Sequence, residues 1–579
     1  MSIIEVGIQT ILIVSLFGGC LSIEQPQQQS IEPCGSTELQ YCPAKESSDV
    51  DSHRKSQLTT YHSEQANDNH NQNCFRAAVV DYSRIDVPGD CRASAEKNLE
   101  VFDKIAKLAH ENHVQVLVFP EDGLYKGTKK GIVECLEEIP DPETLHRDHN
   151  DPCFSSSPVF QATPILTRLG CMAKRYGMYI VANFGTKENC DKSTVTEKTD
   201  ASVNSPCLND DQTYLMLNTD VVLNPMGRFI KRYRKWNPFT VSEIFDKAPR
   251  LEHTFFDTEF GRFGVFTCFD MIFKEPAIDL VDQFNIDTAI FPTWWFDELP
   301  ILTAIQYQDA WSSTNEVNLL ASNILKPNLG STGSSIFSGN NSLYVSQSET
   351  VGGNGERKTK ILIANLLSKP RSAFKMHGDG FDPRKIEIDD NPTRDTYKFK
   401  NFKLHPDDSI KILEKRQDVI ELCSNGFCCT LDYKLPYNIA SHEIKRLIFF
   451  ARNGPRTDVL DWYEQACSLA TLDEPRGGDI STSDPFKFNF ERGINFQSVS
   501  IKAKFDTKYV YPSTAYEKME LIDRNQREFS CKKDKNTEVS KYDCNLHHAQ
   551  NLNLSGEASK KIYSFTLYGR VYERDGKGS

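Results

Sequence analysis

The stretch Arg262–Phe273, RFGVFTCFDMIF, decides how the rest of this chain is read. Arg262 to Phe266 have the character of a strand, with Val265 and the aromatics Phe263, Phe266 and Phe269 around it. Where that strand ends, the chain delivers one small nucleophilic side chain, Cys268, and Phe269 and Asp270 can at once turn it into a helix. A thiol at such a turn sits on a rigid element, and the amides after it point into the same space. A cysteine in an apolar strand is ordinarily a small core hydrophobe, so a chemical role for Cys268 has to be supported by other stretches.

Working outward, strands and helices alternate. On the N-terminal side order begins at Cys74 with the strand FRAAVVDY. Ala93–Asn112 reads as a helix with Leu99, Phe102, Ala106 and Ala109 on one face. Val114–Phe119 is a continuous apolar strand that runs into Pro120, Glu121, Asp122 and Gly123. A buried strand ending in a carboxylate is unusual, although an acid near a helix start is the ordinary alternative. Then come a helix at Thr163–Tyr176, a strand at Tyr179–Phe184, and a hairpin of Thr213–Leu223 and Arg228–Lys235 across the turn NPMG. Lys231, Arg232 and Arg234 read as charge guarding a solvated edge strand. Lys235 differs, because it stands where the strand runs out against Trp236, Asn237 and Pro238.

Beyond Cys268 the pattern predicts a strand at Ile286–Phe291, a helix at Leu299–Ser313, a strand at Val317–Ser322 and the turn GSTGSSIFS. This alternation over residues 73–367 predicts an α/β domain buried on both faces. Polar stretches at 126–157 and 186–212 read as insertions. No GxGxxG, P-loop or GxSxG is present, so nothing points to a nucleotide or a serine nucleophile. Residues 368–394, rich in Gly, Asp, Pro and Arg, read as a linker, and 395–579 as a second, β-rich domain braced by disulfides.

The 579 residues suit two or three domains, and a net charge of −13 leaves no broad basic field for nucleic acid. Ile8–Leu21 is apolar but short, which fits a signal peptide over residues 1–22, followed by a poorly ordered leader at 23–72. His53, His62 and His70 lack the tight spacing of metal ligands, and no metal or other cofactor is expected. VYERDGKGS at the far end has no apolar tail, so a secreted, extracellular monomer without a membrane anchor is expected. Setting aside Cys20 and Cys268 leaves fifteen of the 17 cysteines for disulfides. That count is odd, and Cys171, mid-helix among Leu166, Leu169 and Met172, is the one expected to stay free. Cys34 and Cys42 are candidates to close a small loop. Asn340 and Asn553 head glycosylation sequons.

Glu121, Lys235 and Cys268 each close a predicted strand of one α/β domain, and strand ends on one sheet edge converge in space. Together they have a specific chemistry. A carboxylate can take the thiol proton, and an ammonium favours thiolate and then the oxyanion formed at an attacked carbonyl. The N–H of Phe269 can give that oxyanion a second bond. The result is amide hydrolysis without histidine, metal or cofactor.

The order Glu, Lys, Cys in VFPEDGLY, RYRKWNPF and GVFTCFD resembles the nitrilase, or carbon–nitrogen hydrolase, superfamily. The block FPTWWFDELPILTAIQYQDAW…NLLASN (Phe291–Asn323), GSTGSSIF and CSNGFCC (Cys423–Cys429) narrow the resemblance to the vanin and biotinidase branch. It runs from about Cys74 into the C-terminal domain. It implies an αββα sandwich with an appended β-rich base domain, Glu121 as general base, Lys235 as oxyanion stabiliser and Cys268 as nucleophile. The implied substrate is a small linear amide: pantetheine, giving pantothenate and cysteamine, or a biotinyl amide such as biocytin. Tyr125, Trp236, Trp294 and Trp295 are candidates to wall the pocket or to pack a core. An inactive secreted binding glycoprotein on the same fold is the alternative of another class; the presence of all three reacting side chains weighs against it.

Overall fold

A computed structural model of the chain describes residues 74–145, 150–154, 158–190, 213–239, 244–346, 356–370, 380–395, 397–456, 462–476, 486–535, 540–549 and 560–576. The expected signal peptide, the leader with Cys34 and Cys42, and the sequon at Asn553 lie outside these residues.

The chain begins with β1 (Cys74–Asp81) and α1 (Cys91–Glu111), whose start is fixed by the Asp90 side chain accepting from the Ala93 N–H at 2.8 Å. β2 (Val116–Val118) and α2 (Pro164–Tyr176) follow; α2 opens on a proline and stops at Gly177, with φ 63°. Then come β3 (Tyr179–Asn189), β4 (Tyr214–Leu223), β5 (Phe229–Arg234), β6 (Phe255–Thr258), β7 (Gly261–Val265), β8 (Thr288–Thr293) and a short β9 (Glu298–Leu299). After α3 (Ala304–Asn315) come β10 (Asn318–Asn323), β11 (Ser335–Ser338), β12 (Asn341–Tyr344), β13 (Arg357–Leu367) and β14 (Arg384–Thr393).

These strands make two sheets, ordered β14-β13-β1-β2-β3-β4-β5 and β12-β11-β10-β8-β7-β6. At the centre of each the strands are parallel: β1, β2 and β3 in one, β7, β8 and β10 in the other. Buried on both faces, they read as unbroken apolar runs rather than alternating ones. Phe75, Ala77 and Val79 pack across the sandwich with Phe263 and Val265, the rings of Phe75 and Phe263 meeting at 5.3 Å. Ala78, Val80 and Leu117 point the other way, into the core beneath α1 and α2. α3 covers the second sheet, with Trp311 against Phe266. The domain is thus an αββα sandwich.

The C-terminal part is β-rich: β15 (Lys400–Asn401), β16 (Ser409–Ile412), β17 (Gln417–Ser424), β18 (Phe427–Lys434), β19 (Leu447–Arg456), β20 (Trp462–Thr471), β21 (Ser498–Phe505), β22 (Val510–Tyr516), β23 (Glu528–Lys533), β24 (Tyr542–Ala549) and β25 (Ile562–Arg570). Its two five-stranded sheets are β16-β19-β20-β25-β22 and β17-β18-β21-β24-β23. The first is buried on both faces. Phe449, Leu469 and Phe565 meet Leu431, Ile501 and Leu546 of its partner sheet, while Phe450, Ala466, Tyr511 and Tyr568 join the core of the α/β sandwich. Polar bonds add direction to that junction: Tyr509 Oη to Asp282 Oδ2 at 2.7 Å, Arg524 Nε to Asp309 Oδ1 at 2.7 Å, and Arg570 Nε to the Ile272 carbonyl at 2.9 Å.

Several expectations need correction. Cys171 is not free; it is joined to Cys153, because the side chain leaves the helix toward the turn at 150–154 rather than into the core. The other described pairs are Cys91–Cys135, Cys423–Cys428, Cys429–Cys467 and Cys531–Cys544. Arg234 is not a solvated edge cation. It is 1% exposed and paired with Glu188 and Glu252. The stretch 368–394 is not only a linker, since β14 adds to the first sheet beside β13; its Gly, Asp and Pro neighbours hide the alternation of Ile386 and Ile388. The helix expected from Leu299 starts at Ala304, because a residue before proline is pushed out of the helical region and Pro300 follows Leu299. Asn340 lies partly exposed in the turn between β11 and β12.

Candidate active site

β7 ends at Val265, and three residues later Cys268 opens a single 3-10 turn, Cys268–Ile272. The φ of Cys268 is 47°, a left-handed backbone that costs an L-residue roughly 1–2 kcal/mol. Such strain persists only where the surroundings over-determine it. Here they do. The Asp270 carboxylate accepts from the Thr267 N–H at 3.1 Å, from Tyr233 Oη at 2.7 Å, and from the Asn237 N–H and Nδ2 at 2.8 and 2.9 Å. One buried carboxylate therefore ties the turn carrying Cys268 to the loop that follows Lys235. Phe269 stands in the first turn of the 3-10 segment, where backbone N–H groups lack partners within the helix.

Glu121 follows β2 and Lys235 follows β5 directly, its N–H bonded to the Asn218 carbonyl at 2.9 Å. Their side chains meet: Lys235 Nζ donates to Glu121 Oε1 at 2.5 Å, and each side chain is 5% exposed. Glu121 is held from two further sides, by Asn218 Nδ2 at 2.9 Å and by the Trp294 N–H at 2.9 Å. Asn218 is oriented in turn by Asn183, whose Nδ2 lies 2.6 Å from Asn218 Oδ1 and 2.7 Å from Asp220 Oδ1. Asp220 also accepts from Thr267 Oγ1 at 2.5 Å, which closes the network on the residue before Cys268.

The electrostatics set the resting state. Burial pushes the Cys268 thiol up to about 12, with the Glu121 charge adding to the rise and Lys235, Thr293 and the Trp294 amide opposing it. Burial works against the Lys235 ammonium, yet Glu121, Cys268 and Asp270 together hold it above the usual lysine range. At neutral pH the site thus holds a neutral thiol beside a charged lysine. Burial also raises the surrounding acids, Asp220 to about 7, Asp270 to about 6 and Asp122 to about 6. The three side chains singled out from sequence therefore share one site: Glu121 and Lys235 touch, and both charges act on the thiol. Among the described cysteines Cys268 alone is not in a disulfide.

In front of Cys268 lies a cavity of about 450 Å³. Cys268 opens into it, with Phe239, Phe269, Trp294, Trp295 and Phe296 as walls. Trp294 and Trp295 stand where the sequence suggested; Tyr125 and Trp236 do not line it. Tyr125 is buried beneath the first sheet, bonded to the carbonyls of Cys135 and Gly185. A further part of the wall comes from the second domain: Lys400, Asn401, Lys403, Arg456 and Trp462. The Trp462 ring meets Phe269 edge-on at 5.7 Å, and its Nε1 donates to Glu464 Oε2 at 2.9 Å. No short motif marks these positions; Arg456 and Trp462 sit on β19 and β20, whose sheet is buried on both faces and so shows no alternation. Among the described residues no group of three or more His, Cys, Asp or Glu side chains could hold a metal ion, and no helix is long and apolar enough to cross a membrane.

Residues 76–293 match the carbon-nitrogen hydrolase family, and residues 396–575 match the vanin C-terminal domain. Pantetheinase of Mus musculus is 31% identical over 462 residues, covering 77% of this chain and 82% of its own length. The chain belongs to the vanin and biotinidase branch of the nitrilase superfamily. Biotinidase of Homo sapiens is 29% identical over 512 residues, covering 83% of this chain and 84% of its own. Among solved structures, an amidase from Nesterenkonia sp. aligns over 52% of this chain and 95% of its own, with a TM-score of 0.32 at 14% identity. This family member is a carbon–nitrogen hydrolase acting on amides.

Proposed function

We propose that the protein is a secreted amidase that cleaves pantetheine to pantothenate and cysteamine through a thioester on Cys268. The observation that carries this reading is the Glu121–Lys235 contact placed against a strained, disulfide-free cysteine at the floor of a cavity. The relatives' names supply the substrate class.

The chemistry follows from the charges. With its thiol raised to about 12, Cys268 does not react as a free thiolate at neutral pH. Its proton passes to Glu121 as Sγ attacks the carbonyl carbon. Negative charge then gathers on the former carbonyl oxygen. The Lys235 ammonium and the Phe269 N–H meet it, and one such donor is worth about 3–4 kcal/mol of barrier. Glu121 returns the proton to the amide nitrogen, the carbon–nitrogen bond breaks, and cysteamine departs. A water attacks the thioester, gives its proton to Glu121, and the acid leaves as that proton returns to sulfur.

The cavity has room for such an amide: aromatic walls stand around Cys268, and the polar groups gather on the side facing the second domain. Disulfides in both domains favour an oxidising compartment, and glycans at Asn340 and Asn553 would accord with secretion. The test is direct: purified protein is offered pantetheine and biocytin, and free cysteamine and free biotin are measured. Cysteamine release that disappears in Cys268→Ala is expected. Faster biotin release would reassign the substrate to biotinyl amides, and release of neither would sink the reading.

A further inference from the structure

The wall facing Cys268 from the second domain is charged. Three cations, Lys400, Lys403 and Arg456, and one anion, Glu298, line the same cavity. Arg456 and Glu298 answer each other, both carboxylate oxygens lying 2.6 Å from Arg456 Nη2. The two lysines have no such answer. Among the described residues neither meets a carboxylate within ion-pair distance, although Glu298 is the register partner of Lys400 between β9 and β15. Lys400 rests instead over the rings of Phe239 and Phe296, at 5.4 and 5.9 Å.

Their positions are set by the backbone rather than by their own charges. β15 pairs with β9, the Lys400 N–H bonds to the Asp297 carbonyl at 3.1 Å, and the Phe402 N–H to the Leu299 carbonyl at 2.7 Å. Phe402 is buried between the two lysines and anchors the segment. Behind them, at the floor, Glu121 and Lys235 cancel. The mouth of the cavity thus carries an excess of two positive charges on a chain whose net charge is −13. Apolar walls of low dielectric focus such a field into the cleft.

We propose that Lys400 and Lys403 form an anion subsite, so that among such amides the cavity favours those whose portion remote from the scissile bond ends in a phosphate or carboxylate. This rests on the reading of Cys268 as the nucleophile and adds the charge of the substrate, which that reading leaves open. For pantetheine the distal end is a hydroxyl, and its phosphate monoester is the probe that differs by the anion alone. Each exposed ammonium contributes up to roughly fivefold in affinity, and the contribution is screened by salt over about 10 Å at 0.1 M.

The test compares wild type with Lys400→Gln/Lys403→Gln on two pairs of probes. The first pair is pantetheine and its 4′-phosphate, read as kcat/KM. The second is iodoacetate and iodoacetamide, read as rates of Cys268 alkylation in the resting enzyme. In both pairs the charged probe is expected to lose roughly tenfold more than the neutral one in the double variant. The wild-type preference for the charged probe should also shrink as salt rises. If the alkylation ratio falls but neither pantetheine compound is cleaved, the subsite stands and the pantetheine reading fails. If both ratios are the same in the variant as in wild type, the subsite is wrong, whatever the substrate proves to be.

Discussion

Substituting Glu121 and Lys235 one at a time and together should show a coupled pair. In Glu121→Gln the Lys235 ammonium, 5% exposed, loses its carboxylate at 2.5 Å. Breaking one side of a buried ion pair typically costs about 3–5 kcal/mol, because the survivor stays buried and uncompensated. In Lys235→Met the carboxylate keeps Asn218 Nδ2 and the Trp294 N–H, each at 2.9 Å, so the cost should fall at the low end, about 3 kcal/mol. Glu121→Gln/Lys235→Met buries no unpaired charge, and its cost should fall below the sum of the singles by about 2–3 kcal/mol. Urea unfolding of the four proteins at pH 7 measures this. Activity should be non-additive as well. Each single variant loses at least about 100-fold in kcat/KM, and the double loses little more, since the groups act as a unit. Stability costs that add to within about 0.5 kcal/mol, or a single variant within tenfold of wild-type activity, would refute the reasoning.

Two further outcomes are expected. Trp462 is 2% exposed and stands edge-on to Phe269, so Trp462→Ala should cost about 3–5 kcal/mol in unfolding free energy and raise KM more than it lowers kcat; an unchanged KM would remove the second domain from the pocket. Burial raises the folded-state value of Asp220 to about 7, above its ordinary 3.8. Its neutral form therefore favours the fold, a contribution fully present below about pH 4 and lost as pH rises through 7. Asp220→Asn keeps an acceptor for Asn183 and offers an N–H to the Thr267 hydroxyl, which can rotate to accept it, so its stability relative to wild type should improve between pH 5 and pH 8; an offset that does not vary with pH, followed by urea midpoints, would count against a buried neutral acid.

Much of this was legible in the sequence because the three candidate residues sit at strand ends. VQVLVF, RYRK and RFGVF announce buried or guarded strands, and Glu121, Lys235 and Cys268 are the polar residues on which those runs stop. A parallel sheet buried on both faces leaves little freedom for where its strand ends go, so order along the chain translates into convergence in space. What the sequence hid depends on contacts between distant segments. Arg234 reads like its neighbours Lys231 and Arg232, one more cation on an edge strand, until Glu188 and Glu252 close over it. Cys171 sits among apolar neighbours in sequence yet meets Cys153 across a turn. Trp462, Lys400 and Lys403 belong to a β-rich domain with no motif of its own, and they reach the cavity only because one sheet of that domain packs on both faces. The network from Asn183 through Asn218 and Asp220 to Thr267 was equally invisible, since no local pattern links residues on two separate strands and a distant turn.

The central claim is that bond cleavage passes through an acylated Cys268. Wild-type protein mixed with excess pantetheine, quenched in acid within one turnover and digested, should yield a peptide containing Cys268 whose mass has risen by one pantothenoyl group. The same peptide from Lys235→Met should carry less of it. Rapid cysteamine release with no acyl group on that peptide, together with hydrolysis that survives in Cys268→Ala, would contradict the mechanism.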